Sequence, residues 1–332
     1  MTEFDHVMAF ARRTTGVDAS APATVTALDA RGSDRTFYRF SWGEDRSVIV
    51  IDYDPGRTEN RYYADIARYL RSMRVPVPDV TGHDPESHLL VMEDLGSKDL
   101  HAFAGEDWPT RRVLYQKTLA AAKRLHAIPE KDFPSGSVKL MNGFGPELYL
   151  FEQNYFLDHF VRGHCSVVLE PAFESRLVSE LSRLSDDLCS LQPCLIHRDL
   201  QSQNVMIRDS EPYFIDFQGM RFGNPFYDLG SLLCDPYVSL TPEEREELLS
   251  FYYVLSSREM DWDAFQASFW SASAERLMQA LGAYGFLGTT KGLTGFFEHV
   301  PAGLRNLSTA VSHVPWLSTL RELTAECSLA LG

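Results

Sequence analysis

Residues 195–217 read LIHRDLQSQNVMI, then RDSEP across the join, then YFIDF, and this block constrains the chain more than any other. NVMI and YFID carry the β-branched and aromatic residues of short strands, and RDSEP between them has turn chemistry. Paired as a hairpin, the strands set Asn204 near the start and Asp216 near the end, on the same side. Asp199 precedes Asn204 by five positions, on a loop that enters the first strand. Taken singly, each of these residues is read as well by a tight polar turn, in which it satisfies neighbouring backbone groups. Taken together, they gather three oxygen-bearing side chains in an otherwise apolar stretch.

Hard oxygen donors converging in this way suit Mg²⁺, which accepts a few protein oxygens, keeps waters and completes its shell from nucleotide phosphates. Asn204 and Asp216 are then the metal ligands, and ATP is the nucleotide expected with them. His197, Arg198, Asp199, Leu200 and Asn204 follow the spacing H-R-D-L-x-x-x-N. That leaves Asp199 to orient a substrate hydroxyl and accept its proton during phosphoryl transfer. Competing motifs are weak: the sequence has no GxxxxGK[ST], HExxH or GxSxG, and NGFGPE holds a GxG outside any strand-to-helix context.

The rest of the chain changes character near residue 94. Before it, EFDHVMAFARR spaces Phe4, Val7, Met8 and Phe10 as one helix face, and residues 24–28, 30–42 and 46–54 read as strands. A helix over 59–73, the extended breaker VPVPDV and a strand over 88–94 follow. After about residue 97 the pattern is long helices, at 110–128, 147–161 and 175–191, interrupted by LIH, NVMI and YFID. TPEEREELL, at residues 241–249, opens a further helix with a Thr N-cap, Pro at the first position and an acidic first turn. The expected architecture is α+β and two-lobed: residues 1–94 form a small antiparallel-sheet lobe that binds nucleotide, and residues 95–332 a helical lobe for catalysis and substrate.

Thirty-one Lys and Arg against 46 Asp and Glu give a formal charge of −15 with no dense basic cluster, which argues against nucleic acid or an anionic membrane as partner. The five cysteines include no CxxC pair, so neither a disulfide framework nor a zinc site is expected. The acidic start MTEFDHVMAF and the lack of any long apolar run point to a cytoplasmic protein.

These motifs resemble the protein-kinase-like superfamily, on its aminoglycoside phosphotransferase and choline kinase side, over nearly the whole length. The resemblance implies a phosphate-covering turn at Gly32, Ser33, Asp34 and Arg35, and an adenine-contacting connector at Met92, Glu93, Asp94 and Leu95. It places YQKTLAAAKRLH, ending at His126, in the helix after the connector. It also implies that Asp228 anchors the backbone of the loop carrying His197; a plain helix N-cap is the other reading of Asp228, and the two are compatible.

Two departures from the superfamily stand out. Protein kinases carry a lysine on the third strand; here the chain has no lysine from Met1 to Met92, and the strand VIVID puts Asp52 near that position. Arg35 and Arg39 are the candidate replacements at the phosphates. Residues 217–227 also leave no room for the peptide-recognising segment of protein kinases, so the acceptor is a small molecule. GSDRTFYRF, IDFQ, YDLGSLLCDPYV and RLMQALGAYGFL resemble the bacterial N-acetylmuramate/N-acetylglucosamine anomeric kinases. This implies phosphorylation of an amino sugar at its anomeric hydroxyl, in cell-wall sugar recycling. Gln201, Gln218, Arg221, Glu152 and Asn154 are candidate sugar contacts. The LMQALGAYGFL run reads more readily as core helix than as a ligand site. An aminoglycoside or choline phosphotransferase is the neighbouring alternative, and a nucleotide-binding pseudokinase the alternative of another class.

Overall fold

The structure is a computed structural model and describes residues 4–28, 35–256 and 260–332. Five strands, β1 (Ala23–Leu28), β2 (Arg35–Trp42), β3 (Arg46–Tyr53), β4 (Val80–Asp84) and β5 (Leu89–Glu93), form one antiparallel sheet in the order β1-β2-β3-β5-β4. The central strand β3 pairs Val48 with Phe40 on one side and with Glu93 on the other. Its run Val48–Ile51 is buried on both faces, which is why the sequence there is continuously apolar rather than alternating.

Helix α1 (Asp5–Thr15) covers one face. Its Val7, Phe10 and Ala11 join Tyr38, Phe40, Val48, Val50, Leu89 and Val91 in one core cluster. Burying each large apolar side chain there contributes about 1.5–3 kcal/mol. The segment read as a helix over 59–73 begins with a 3₁₀ turn at Thr58–Tyr62 and becomes α2 at Tyr63–Ser72. The edge strand β4 lies just after VPVPD, where the sequence shows only a breaker. Its residues VTGHD are mostly polar, and a bulge between Val80 and Gly82 breaks the register. Gly82 sits close to α1 there, since a Cβ would stand 2.6 Å from the Thr14 methyl group and that side chain would have to shift.

The chain divides into two compact units, and neither is one continuous segment. The first comprises Met1–Lys98, Pro134–Met141 and Val205–Gly219; the second comprises Asp99–Phe133, Asn142–Asn204 and Met220–Gly332. The sheet-bearing unit thus includes two segments from beyond residue 94, Pro134–Met141 and Val205–Gly219. The hairpin of YFID and NVMI belongs with the sheet, because the Ile207 N–H donates to the Lys98 carbonyl at 2.8 Å and the Phe214 N–H to the Pro76 carbonyl at 2.8 Å.

In the second unit, α3 (Trp108–His126), α4 (Pro146–Tyr155) and α5 (Pro171–Cys189) precede β6 (Cys194–Ile196). The hairpin of the first unit follows, as β7 (Val205–Arg208) and β8 (Glu211–Phe214), with Val205 opposite Phe214. The chain then returns through β9 (Arg221–Gly223), which pairs with β6 and is too short to be read from sequence. Helices α6 (Pro225–Leu233), α7 (Pro242–Leu255), α8 (Trp262–Gly285), α9 (Val300–Ser312) and α10 (Ser318–Ala330) complete the unit. Thr241 and Glu244 close a reciprocal capping box at the start of α7, with Pro242 at the first position as expected. Buried over much of its length, α8 packs on α4, α6 and α9. It also approaches the π-helical stretch Phe156–His164 so closely that a Cβ on Gly285 would lie 2.3 Å from the His159 carbonyl oxygen.

Candidate active site

In the second unit, the loop after β6 is pinned by two buried acids. Asp228, 0% exposed, accepts the His197 N–H at 2.7 Å and the Arg198 N–H at 2.8 Å. The His126 Nε2 also meets Asp228, at 2.9 Å, while its Nδ1 lies 2.7 Å from the Tyr252 hydroxyl. The N-cap of α6 is Asn224, which accepts from the Phe226 N–H, so Asp228 is not the helix cap and its carboxylate is spent on the loop. Asp235, at the far end of the same phrase YDLGSLLCD, accepts the Ser202 N–H at 2.7 Å and the Tyr237 N–H at 3.0 Å. Between these anchors the backbone is unusual: Arg198 has φ 76°, a left-handed conformation that costs a non-glycine residue energy and persists only where its surroundings enforce it.

That loop presents Asp199. The Asn204 Nδ2 donates to the Asp199 carbonyl at 2.9 Å, which commits the nitrogen end of the amide and leaves Oδ1 as the end able to take a cation. Asp199 Oδ1 accepts from Arg276 Nη2 at 2.6 Å. The Asp199 side chain is 41% exposed, while that of Arg276 is 5% exposed, so a buried cation holds a solvent-facing carboxylate. Behind them, Tyr227 donates to Glu152 Oε2 at 2.8 Å and Arg198 Nη2 to Glu152 Oε1 at 3.3 Å. Burial pushes the Tyr227 hydroxyl well above its ordinary range, with the Glu152 charge adding to the shift. Burial likewise raises Tyr237, to about 12; its hydrogen bond with Tyr284 works the other way, while the Asp235 and Asp199 charges add to the rise.

Asp216 lies in the first unit, two residues beyond β8, and also has a left-handed φ, 63°. Its Oδ1 accepts from Arg35 Nη2 and, at 2.8 Å, from Gln218 Nε2. Arg35 Nη1 reaches Gln218 Oε1 at 2.9 Å, so Arg35, Asp216 and Gln218 form a closed triangle. Phe217 stacks on Tyr63 of α2 with ring centroids 4.3 Å apart, which locks the segment in place. Asn204, in the second unit, offers an amide oxygen, and Asp216, in the first, a carboxylate. Each is a hard donor of the kind Mg²⁺ accepts, and among the described residues no group of three or more His, Cys, Asp or Glu makes a dedicated cage.

The structure gives several of the expected site residues partners of their own. Arg39 Nε and Nη2 grip Asp94 at 2.6 and 3.1 Å, and Nη2 also reaches the Gly96 carbonyl. Burial works against that carboxylate, yet hydrogen bonds from Arg39, Ser47 and Gly96 hold it below its usual range. Met92 and Glu93 are still within β5, and the Glu93 N–H donates to Asp79, so only Asp94 and Leu95 of the expected connector lie beyond the strand. Glu152 is 1% exposed, and its two oxygens accept from Arg198 and Tyr227. Asn154 is exposed on α4 and Gln201 half-buried, and the buried Arg221 lies over the Phe144 ring, 5.5 Å from its centroid. Asp52 is 3.2 Å from His6 Nε2. Gly32, Ser33 and Asp34 lie outside the described residues.

Sequence reasoning passed over Arg276, Asp235 and Tyr227. A signal for Arg276 exists: Glu275 and Arg276 are the only charged residues of α8 after its first turn, in a run of otherwise small and apolar side chains. Both are buried.

The fold matches solved structures throughout. A choline/ethanolamine kinase family protein from Mesorhizobium loti superposes with a TM-score of 0.63 at 16% identity, covering 95% of this chain and 99% of that one. The ADP-bound aminoglycoside phosphotransferase APH(2'')-Ib gives 0.59 at 12% identity, covering 96% and 99%. The architecture is thus α+β and protein-kinase-like. The model of the phosphotransferase enzyme family matches residues 24–265, and the chain belongs to that family. Among similar curated proteins, the N-acetylmuramate/N-acetylglucosamine kinase of Pseudomonas aeruginosa is 25% identical over 92% of this chain and 88% of its own. The protein so named in Neisseria meningitidis is 27% identical over 69% and 66%. The chain is an enzyme, a phosphotransferase acting on a hydroxyl acceptor.

Proposed function

We propose that this enzyme transfers the γ-phosphoryl group of ATP to the anomeric hydroxyl of an amino sugar of the N-acetylmuramate or N-acetylglucosamine type, in the cytoplasm, for reuse of cell-wall sugars. The observation that carries the substrate class is the likeness, along nearly the full chain, to a kinase named for those two sugars. Asp199, steadied on Oδ1 by Arg276, is the base. As the sugar oxygen attacks the γ-phosphorus, its proton passes to Asp199 Oδ2; the bond from the γ-phosphorus to the bridging oxygen breaks, and its electron pair leaves with ADP. An anomeric hydroxyl is more acidic than an ordinary alcohol, so a carboxylate suffices. Asn204 and Asp216 would hold Mg²⁺, which neutralises charge on the phosphate oxygens. Arg35, already beside Asp216, supplies a cation on the lysine-free sheet.

The test is ADP release from MgATP with N-acetylglucosamine, N-acetylmuramate, choline and kanamycin offered separately, with the phosphate position read by ³¹P NMR. A sugar 1-phosphate product is expected. Turnover confined to choline or kanamycin, or phosphate on another hydroxyl, overturns the reading.

A further inference from the structure

We infer that Arg276 is a positioning residue for phosphoryl transfer: it fixes the rotation of the Asp199 carboxylate so that Oδ2 faces the acceptor hydroxyl. The inference rests on Asp199 being the base, and it assigns a role to a side chain that reaches the site from α8, remote in sequence from the catalytic loop.

The argument is geometric. A carboxylate on a loop can turn about its Cβ–Cγ bond, and a base that turns away spends much of its time unable to take a proton. Among the described residues, Asp199 has one firm side-chain partner on Oδ1, the Arg276 Nη2 at 2.6 Å; on the other oxygen, Asn204 Nδ2 stands off at 3.5 Å. Oδ1 is therefore the held oxygen and Oδ2 the working one. Arg276 is itself held at each end of its fork: Nε donates to Ser231 Oγ at 3.2 Å, Nη1 to Gln279 Oε1 at 2.6 Å, and the guanidinium lies 6.0 Å from the Tyr227 ring centroid. Ser231 is on α6, the helix whose Asp228 fixes the backbone of the same loop. One helix thus sets both the loop and the arginine that orients its carboxylate. A buried planar guanidinium with three separate partners is suited to such a task, whereas a lysine offers one ammonium point in its place.

The experiment compares Arg276→Ala and Arg276→Lys with the parent, using MgATP and whichever of N-acetylglucosamine, N-acetylmuramate, choline and kanamycin turns over. We expect kcat to fall ten- to a hundredfold in both variants, with ATP affinity by calorimetry within about twofold of the parent. Millimolar guanidinium chloride should restore part of kcat to Arg276→Ala and none to Asp199→Asn. Parent-like kcat, an equal loss of ATP affinity, or no difference in rescue between the two variants overturns the role of Arg276 and leaves Asp199 untouched. An Asp199→Asn enzyme that still turns over, or a parent inert with every acceptor, removes the base reading and this inference together. Should the Arg276 variants not fold, Gln279→Leu loosens the fork and keeps the charge; it should lower kcat severalfold at unchanged ATP affinity, and parent-like kcat there likewise overturns the inference.

Discussion

Arg35 and Asp216 meet directly, guanidinium to carboxylate, although residue 35 opens the second strand and residue 216 follows the eighth. The carboxylate expected to face a divalent cation is already beside a monovalent one, fixed to a strand and shared with Gln218. Arg39, four residues on, is spent instead on Asp94.

The two arginines should therefore separate. Arg35→Met is expected to weaken ATP binding about tenfold, the loss of one charge-assisted contact, with little change in melting temperature. Arg39→Met strips a partner from an Asp94 side chain only 6% exposed, and should cost roughly 1–3 kcal/mol of stability with ATP affinity kept. Calorimetry and thermal melts on both variants read this, and the reverse pattern would reverse the assignment.

Asp199→Asn keeps shape and removes the proton acceptor. A fall in kcat of about 10²–10⁴-fold is expected with ATP binding largely retained. Residual turnover near the parent value counts against Asp199 as base.

Asp216→Ala should weaken nucleotide binding in the presence of Mg²⁺ far more than in its absence, because the lost group is a hard oxygen donor for the ion. Equal affinities with and without the metal, in parent and variant alike, would remove Asp216 from the metal site.

Asp228→Ala leaves the His197 and Arg198 N–H groups buried without their acceptor, at roughly 1–3 kcal/mol each. We expect a lower melting temperature together with loss of turnover, since the same loop carries Asp199. A stable but inactive variant would assign Asp228 to chemistry rather than to the loop.

Glu275 gives a pH signature. It is fully buried, its Oε2 accepts from Gln153 Nε2 at 2.9 Å, and burial pushes its pKa well above the ordinary range, with the nearby Glu152 charge adding to the rise. The folded state therefore holds a proton that the unfolded state releases. Its contribution to stability is full below the ordinary glutamate range and drains away as pH rises toward the raised value. Glu275→Gln removes that loss, so its melting temperature relative to the parent should be higher at pH about 8.5 than at pH about 5. A difference independent of pH would show that Glu275 is not protonated in the fold.

The fold was legible wherever local chemistry decides it. The apolar runs of β3 and β5, the capped start of α7 and the NVMI and YFID hairpin follow from propensity and turn residues alone. The strands β4 and β9 were not legible, since one is polar and bulged and the other is three residues long and exists through its pairing with β6. The site divides in the same way. Asp199, Asn204 and Asp216 share one contiguous block, but what holds each of them is long-range: Arg276 lies 77 positions from Asp199, and Arg35 lies 181 from Asp216. The surroundings of Glu152 are long-range too, since Arg198 and Tyr227 reach it from 46 and 75 positions away.

The five-stranded sheet contains no lysine, and its third strand carries Asp52 where an amine is customary. Chemistry directed at an ε-amine therefore has no target on these five strands, whose cations are guanidinium groups such as that of Arg35. A dicarbonyl reagent, which condenses with arginine, is the label to which Arg35 would answer.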